Sequence, residues 1–384
     1  MSLLTDLLQL LFVAGYFAVL LLLCVFGLHR YQLVYLSRRH RQSSSPPRAG
    51  DNLPAVTVQL PVYNERYVIE RLVAAVCEFD YPSSLLEVQV LDDSDDDTAE
   101  LVAAQVARLR AQGHDIRHLR RRERTGFKAG ALQHGLRRAR GELIAVFDAD
   151  FVPPPGLLRE LVPWFADNDV GMVQARWSWL NRDYSLLTRL QAIFLDAHFA
   201  VEHLARNRST RFFNFNGTAG VWRRECIESS GGWQADTLTE DLDLSYRAQL
   251  RGWRFVYAPQ AAAACELPVE MSAFKVQQHR WAKGSLQTAL KLLGRIVRSR
   301  QPWRVKLEAT FHLTNNLSYL LIVFLSLSML PSMIIRYNMG WRETLWIDMT
   351  LLLSATLSVT LFYATAQRAL YPRWHDSILR LPQR

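Results

Sequence analysis

Residues 7–28 run for 22 positions without a charged side chain, and Gln9 is the most polar member. At ~1.5 Å per residue such a helix reaches ~33 Å, enough to cross the hydrocarbon core of a bilayer. Two further stretches read the same way. Residues 311–335 carry only His312 among ionisable groups, and residues 345–366 carry only Asp348. The first run lacks a basic leader segment and a small-residue cleavage site, so it reads as an anchor rather than a cleaved signal. A buried helical hairpin is the competing reading of the other two, and their length argues against it. The 49% hydrophobic content, ordinary for a globular protein, therefore averages two unlike parts.

The charge is equally uneven. Residues 29–48, 291–306 and 368–384 carry +5, +6 and +3, together +14, more than the +9 of the whole chain. Residues 49–290 hold 28 basic and 31 acidic side chains. A nucleic-acid partner, which the net charge alone would favour, loses its support because the middle region is not basic. Basic flanks beside apolar spans mark the cytoplasmic side. The expected topology is an outer N-terminus, a cytosolic middle region, a helical hairpin out and back, and an inner C-terminus. Cys24, Cys77, Cys226 and Cys265 show no CxxC spacing and no zinc or disulfide pattern.

The segment 42–52 is a Ser/Pro/Gly linker by composition. Beyond it, short apolar strands at 56–60, 87–91, 116–120 and 142–147 alternate with helical periodicity at 66–79, 98–112 and 127–140. This order predicts an α/β domain with a mostly parallel sheet and helices on both faces. Such sheets bind ligands beyond the carboxyl ends of their strands. Those ends carry Pro61-Val-Tyr-Asn-Glu65, Asp92-Asp93-Ser-Asp-Asp-Asp97 and Asp148-Ala-Asp150. No GxGxxG follows the first strand, and no GxxxxGK[ST] occurs anywhere.

Asp148 and Asp150 supply hard oxygen ligands of the kind that hold Mg²⁺ or Mn²⁺ carrying substrate phosphates. Alone, such a pair is as readily a solvated turn; the buried-strand prefix and the second acidic strand end favour the ligand reading. Asp95, Asp96 and Asp97 read as a solvated first turn of the next helix. Asp241, in Thr239-Glu240-Asp241, stands at a helix start, where an acidic cap is the simpler account. Lys128 opens another helix and suits a diphosphate, or is an ordinary surface lysine. In Gln277-Gln-His-Arg280-Trp281, arginine can grip phosphate oxygens and tryptophan can lie against a sugar ring, or the segment is an amphipathic surface helix.

PVYNE, LDDS, KAG, FDAD, NGTAG, TED and QQHRW occur in that order. The set resembles the family 2 glycosyltransferases, specifically the cellulose-synthase and cellulose-synthase-like A (mannan synthase) group. The resemblance covers about residues 56–290 and the N-terminal span. It implies a GT-A-like fold and inverting, metal-dependent transfer of a hexose from GDP-mannose or UDP-glucose to a growing β-linked polysaccharide. Transfer of one sugar to a lipid acceptor, or a catalytically silent scaffold that binds nucleotide sugar, are the alternatives. By motif, Tyr63, Glu65, Asp92 and Asp93 would hold the nucleotide, with Lys128 and Asp148 at the diphosphate. Asp148 and Asp150 would hold the cation. Asp241, with Glu240 beside it, would be the general base. Gln277, Arg280 and Trp281 would close over diphosphate and acceptor, and Asn216, Gly217 and Thr218 would approach the acceptor.

The expected organisation is therefore a membrane helix and basic segment (1–48), a cytosolic catalytic domain (49–290), and an interfacial segment with a C-terminal hairpin (291–384). Residues 183–210 and 291–306 are expected as amphipathic helices at the membrane surface. The expected partners are nucleotide sugar, a glycan or lipid-linked acceptor and the bilayer, in a bacterial plasma membrane or, in a eukaryote, the Golgi. The group it resembles has four or more spans after QxxRW, whereas two follow here. Truncation, a homo-oligomer, or addition of only a few sugars would each reconcile this.

Overall fold

The apolar runs of the middle region become the strands of one eight-stranded sheet in the computed structural model, which describes residues 3–40, 47, 52–371 and 373. Ahead of the sheet runs α1 (Leu3–Arg39). Strands β1 (Val56–Val62), β2 (Leu86–Asp92), β3 (Ile116–Arg120) and β4 (Leu143–Val146) follow in the expected order. They are linked through α2 (Ile69–Cys77), α3 (Thr98–Ala111) and α4 (Phe127–Leu136). All four strands are parallel, with β1 between β2 and β4. The strand β1 runs on to Val62, through Pro61, where the sequence pattern ended it at residue 60.

The second half departs from a parallel pattern. It contains β5 (Phe151–Val152), α5 (Leu157–Leu161), β6 (Val170–Trp179), α6 (Leu186–Ala197), a π-helical segment (His198–His203) and α7 (Leu204–Arg208). Then come β7 (Gly220–Arg223), α8 (Arg224–Ser229), α9 (Glu240–Leu250) and β8 (Arg254–Cys265). The strand order is β3-β2-β1-β4-β7-β6-β8-β5. β7 is antiparallel to both β4 and β6, β6 and β8 are parallel, and β5 is antiparallel to β8. The sheet is therefore mixed. β7 starts beside the carboxyl end of β4, with Gly220 opposite Val146, and so pairs with β4 by running back along it.

Both faces of the sheet are buried, which is why its central strands read as nearly unbroken apolar runs. Val58, Leu60, Ile69, Leu72 and Phe147 pack on one face. Ile144, Met172, Phe199, Trp222 and Tyr257 pack on the other. Trp222 is fully buried, edge-on to Phe215, Trp233 and Phe255 at ring separations of 5.5, 5.9 and 5.2 Å.

After β8 the chain is helical: α10 (Met271–Arg298), α11 (Trp303–Thr314), α12 (Leu317–Asn338) and α13 (Leu345–Leu370). Among the described residues three helical stretches are long and apolar enough to cross a membrane: Leu3–Arg39, Leu317–Asn338 and Arg342–Leu370. The expected second span at 311–335 divides. Its first residues end α11, whose Val305, Ala309 and Leu313 are buried against Phe212, Leu242 and Tyr246 of the sheet domain. The lone acid of the third span is also accounted for. The Asp348 carboxylate accepts from the Arg336 guanidinium at 2.6 Å and from the Tyr16 hydroxyl at 2.9 Å, tying all three spans together.

The segment 183–210 forms α6, the π segment and α7, packed beside α1 and α13 with Ala197, Val201 and Ala205 against Leu33, Phe362 and Ala366. The segment 291–306 behaves differently. Its apolar residues Leu292, Ile296 and Val305 are buried in the Phe212–Tyr246 cluster, so that face is covered by protein, not by lipid. α10 carries the chain unbroken across residue 290. The linker at 42–52, apart from Pro47 and Asn52, and most of the basic tail lie outside the described residues.

Removing the Trp222 ring leaves a cavity that neighbouring rings cannot fill. Trp222→Ala is expected to lose about 3–5 kcal/mol in urea unfolding of the detergent-solubilised protein. Tyr67→Ala, at a residue 90% exposed, is expected to change stability by less than about 0.5 kcal/mol.

Candidate active site

β4 is fully buried, and the chain leaves it at Phe147 into Asp148-Ala149-Asp150. The loop before β7 closes on this exit. The Ala219 amide donates to the Val146 carbonyl at 2.9 Å, and the Asp148 amide donates to the Thr218 hydroxyl at 2.9 Å. α4 supplies the cation. Gly126 (φ +73°) and Phe127 (φ +48°) turn the chain sharply and place Lys128 in the first turn. Its ammonium donates to Asp148 Oδ1 at 2.5 Å and to the Gly217 carbonyl at 3.0 Å. Gly217 has φ +81°, and a Cβ there would sit 3.1 Å from Asp241 Oδ2 and 3.5 Å from Lys128 Nζ. A side chain at 217 would therefore fill the space where base, lysine and aspartate converge.

The electrostatics follow from crowding acids around one lysine. Burial raises the Asp241 carboxyl to about 7, helped by Glu240 and Asp148 and opposed by Lys128. Burial likewise raises Asp150 to about 7, with Asp148 and Glu65 adding to it. Burial pushes Lys128 down, but Asp148, Glu240 and Asp241 outweigh it and raise the ammonium above its ordinary value. Glu65 is raised by burial and by Asp148 and Asp96. The site is short of positive charge.

That shortage is the test of whether a divalent cation fits. Among the described residues no group of three or more His, Cys, Asp or Glu side chains could hold a metal. Asp148 and Asp150 instead offer a pair of carboxylates, one of them raised to about 7 by burial. Two hard oxygen donors that leave most positions to phosphate and water match the way Mg²⁺ and Mn²⁺ sit beside phosphorylated substrates.

A second pocket wall is built from the ends of β1, β2 and β3. Asn64, at φ +57°, is tied to the β2 exit. Its amide donates to Asp95 Oδ1 at 2.7 Å, and its side-chain oxygen accepts from the Asp95 backbone at 3.1 Å. The Tyr63 hydroxyl also donates to Asp95, at 3.3 Å. Asp95, which the sequence pattern made a solvated turn, thus fixes the loop that carries Tyr63 and Glu65. Asp92 is fully buried and faces the His118 ring nitrogen at 2.7 Å, and Asp93 is paired with Arg121. Both acids of that pair are already engaged within the protein. Arg124 lies over the Tyr63 ring, 3.2 Å from its centre, with exposed Phe127 on its other side at 5.2 Å. Sequence reasoning passed over Arg121 and Arg124. The strand-end rule, applied to β3 as it was to the other strands, would have found them.

The acceptor side is less direct than the motifs implied. The Asn216 side chain points inward to His198 and His203, and the fully buried Thr218 hydroxyl binds the Asp148 amide. Of the three residues, only Gly217 approaches Lys128 and Asp241. α10 presses on the Thr239-Glu240-Asp241 loop. A Cβ at Gly284 would come within 3.0 Å of three Thr239 side-chain atoms, and the Leu238 amide donates to Gln287 at 2.9 Å. Lys291 reaches Asp243 at 2.9 Å. On the same helix Trp281 is half-buried beside Trp179 against Leu195 and Leu267, Gln277 is half-buried and Arg280 is exposed.

Acidic residues converging on a half-buried lysine beyond the strand ends, on a sheet held to apolar helices, suit a phosphorylated ligand beside a divalent cation. Residues 54–284 match the family described as "Glycosyltransferase like family 2", and the chain belongs to that family. Glucomannan 4-beta-mannosyltransferase 2 of Arabidopsis thaliana is 44% identical over 257 residues, covering 66% of this chain and 48% of the relative. Glucomannan 4-beta-mannosyltransferase 1 of Oryza sativa subsp. japonica is 42% identical over 273 residues, covering 69% and 52%. The chain thus spans about half the length of these curated relatives. Among solved structures, the mannosyltransferase PcManGT of Pyrobaculum calidifontis, in complex with GDP-Man and Mn²⁺, superposes with a TM-score of 0.62 at 22% identity. The match covers 96% of this chain and 99% of that one, and it shows a shared GT-A fold.

A carboxyl raised to about 7 binds its proton more tightly folded than unfolded. Acidification through pH 7 therefore stabilises the metal-free protein, and protons compete with a cation. Mn²⁺ at ~100 times its Kd is expected to add about 2.7 kcal/mol at pH 8 and far less at pH 5.5. Thermal melts at the two pH values check this, and Asp150→Asn is expected to flatten the response.

Proposed function

We propose that the protein transfers a mannosyl residue from GDP-mannose, with inversion, to a β-linked glycan, using a catalytic domain on the cytosolic face of the membrane. One observation carries the reading. Lys128 Nζ joins Asp148 Oδ1 to the Gly217 carbonyl, and Asp241 Oδ2 lies 3.1 Å from where a Gly217 Cβ would stand, so a proton acceptor and groups suited to a diphosphate lie side by side. The mannosyl donor is supported by the relatives, which are mannosyltransferases by name. The orientation is supported by +14 of basic charge flanking the apolar spans.

In the transfer, the acceptor hydroxyl oxygen attacks the anomeric carbon from the side opposite the diphosphate. The bond from that carbon to the diphosphate oxygen breaks, and its electron pair leaves with the nucleoside diphosphate. Asp241 takes the hydroxyl proton as the new bond forms. Burial beside Glu240 suits it to this, because a carboxylate raised to about 7 is a stronger base than a solvated one. Lys128 places a fixed positive charge beside the departing diphosphate. Mg²⁺ or Mn²⁺ held by Asp148 and Asp150 would supply Lewis-acid charge to that diphosphate. Tyr63 and Glu65, with the Arg121–Asp93 pair behind them, form the wall for base and ribose. Gln277, Arg280 and Trp281 on α10 face the acceptor end.

Asp241→Asn keeps the shape and removes the base. It is expected to lower kcat about 10²–10⁴-fold while the nucleoside diphosphate still binds. Undiminished transfer by this variant in reconstituted membranes would falsify the assignment. A donor panel with product analysis decides the rest. Mannose in a lengthening glycan is expected; incorporation from UDP-glucose alone overturns the donor, and a lipid carrying one sugar overturns the acceptor.

A further inference from the structure

The most constrained polar groups outside the catalytic cluster lie one layer behind it. α6 does not continue regularly into α7. Between them the chain takes π-helical geometry over His198–His203, a form that appears mainly as short insertions, frequently at functional sites. The insertion brings His198 and His203 to one point, with ring centres 4.3 Å apart. Both rings address the same side chain. The Asn216 amide nitrogen donates to His198 Nε2 at 2.8 Å, and its oxygen accepts from His203 Nε2 at 2.5 Å.

Each bond constrains the next. His203 Nε2 also faces the Asn214 carbonyl at 3.1 Å, so two acceptors confront it and it carries the proton. His203 Nδ1 is buried with no partner among the described residues. Burial, with His198 and Arg206 nearby, keeps the ring well below its ordinary pKa and therefore neutral. Because His198 Nε2 accepts from Asn216, its proton lies on Nδ1, which faces Glu202 at 2.8 Å. The two tautomers thus specify a single orientation of the Asn216 amide. The neighbouring residue is Gly217, whose carbonyl holds Lys128 and whose α-carbon abuts Asp241.

On its other side the network runs toward the membrane helices. Arg206 reaches Glu202 at 3.4 Å and Glu308 on α11 at 2.9 Å. Glu308 in turn faces His29 of α1 at 3.1 Å. Arg206 is 3% exposed at its side chain and Glu308 1%. Burial would raise Glu308, but the His29 hydrogen bond and the Arg206 charge outweigh it and hold the carboxyl at about 2. A buried pair is costly to break from one side, because the remaining charge is left uncompensated.

We infer that His198 and His203 are positioning residues that fix the acceptor loop through Asn216, and that the Glu202–Arg206–Glu308–His29 chain makes their placement depend on the docking of α1 and α11. The inference rests on the proposed transfer reaction, since it assigns what holds Gly217, Lys128 and Asp241 in register. A misplacement of the order of 1 Å at such a loop lowers turnover by ~100-fold without removing any group that touches the donor.

The test uses the full chain in lipid nanodiscs, with kcat and acceptor KM for transfer and the Kd of GDP in the presence of Mn²⁺. His203→Leu is expected to lower kcat roughly 10–100-fold, with Kd for GDP changed less than about twofold. His203→Gln retains an N–H at the Nε2 position and is expected to recover most of the rate. Glu308→Gln is expected to lower kcat less, and its effect to shrink when His203 is already leucine, because coupled residues are non-additive. Unchanged kcat in His203→Leu overturns the inference, as does a double variant whose losses simply multiply. If His203→Leu fails to bind GDP, Glu308→Gln decides alone: a lowered kcat with the Kd of GDP kept within about twofold is expected, and an unchanged kcat overturns the inference. Wild-type protein that binds GDP but transfers no sugar from any nucleotide donor sinks the proposed reaction instead.

Discussion

One ammonium group holds the catalytic end of this molecule together. Lys128 lies where Asp148, Glu240 and Asp241 all bear on it, and it is pinned by the Gly217 carbonyl. Two like charges ~4 Å apart repel by about 4 kcal/mol at an effective dielectric of 20. Carboxylates this close together would, without Lys128, protonate or push the loops apart. With it, the Asp148 exit of β4, the loop before β7 and the first turn of α9 can share one small volume. The remaining excess of negative charge makes the site receptive to a divalent cation. The same charge balance thus sets the local fold and the ligand the fold accepts.

The two halves of the sheet divide the labour. The parallel half, β3-β2-β1-β4, ends in loops that lock to one another through Asn64, Asp95 and the Arg121–Asp93 pair. These form one wall. The antiparallel insertion of β7 delivers Gly217 against Asp148. α10, packed through Gly284 onto Thr239, delivers Asp241 from the other side. The proposed base and the proposed diphosphate-binding groups therefore arise on elements distant in sequence, and no single segment can assemble the site.

This division explains what could be read in the sequence. β1 to β4 are buried on both faces, so their apolar runs announce them, and the acids after each run follow the strand-end rule. β7 has only four residues, β8 contains Pro259 and four consecutive alanines at 261–264, and β5 has two residues. None presents a period that distinguishes strand from loop or helix. The amphipathic stretches are legible only in part. Periodicity states that a face is apolar but not what covers it. In 291–306, Phe212 and Tyr246 cover Leu292, Ile296 and Val305, while Val297 and Trp303 stay exposed. His198, Glu202 and Arg206, spaced four apart, look like a solvated helix face. Arg206 is buried and His198 and Glu202 are half-buried because α1, α11 and α13 pack beside them, a tertiary fact without a local signature.

The buried histidine and carboxylate network raises the question of why such groups sit at the junction of domain and membrane helices. Apolar residues of similar volume would often be as stable there or more so. What they would lack is direction: an apolar contact tolerates sliding by an ångström, whereas the His198 and His203 bonds to Asn216 require one amide orientation. Precision at Gly217 matters because Asp241 and Lys128 approach its backbone within the spacing of a single Cβ. A polar junction gives up some packing stability and gains a fixed register between anchor and active site. At a proposed acceptor loop tied to the apolar helices, that register counts for more than the packing.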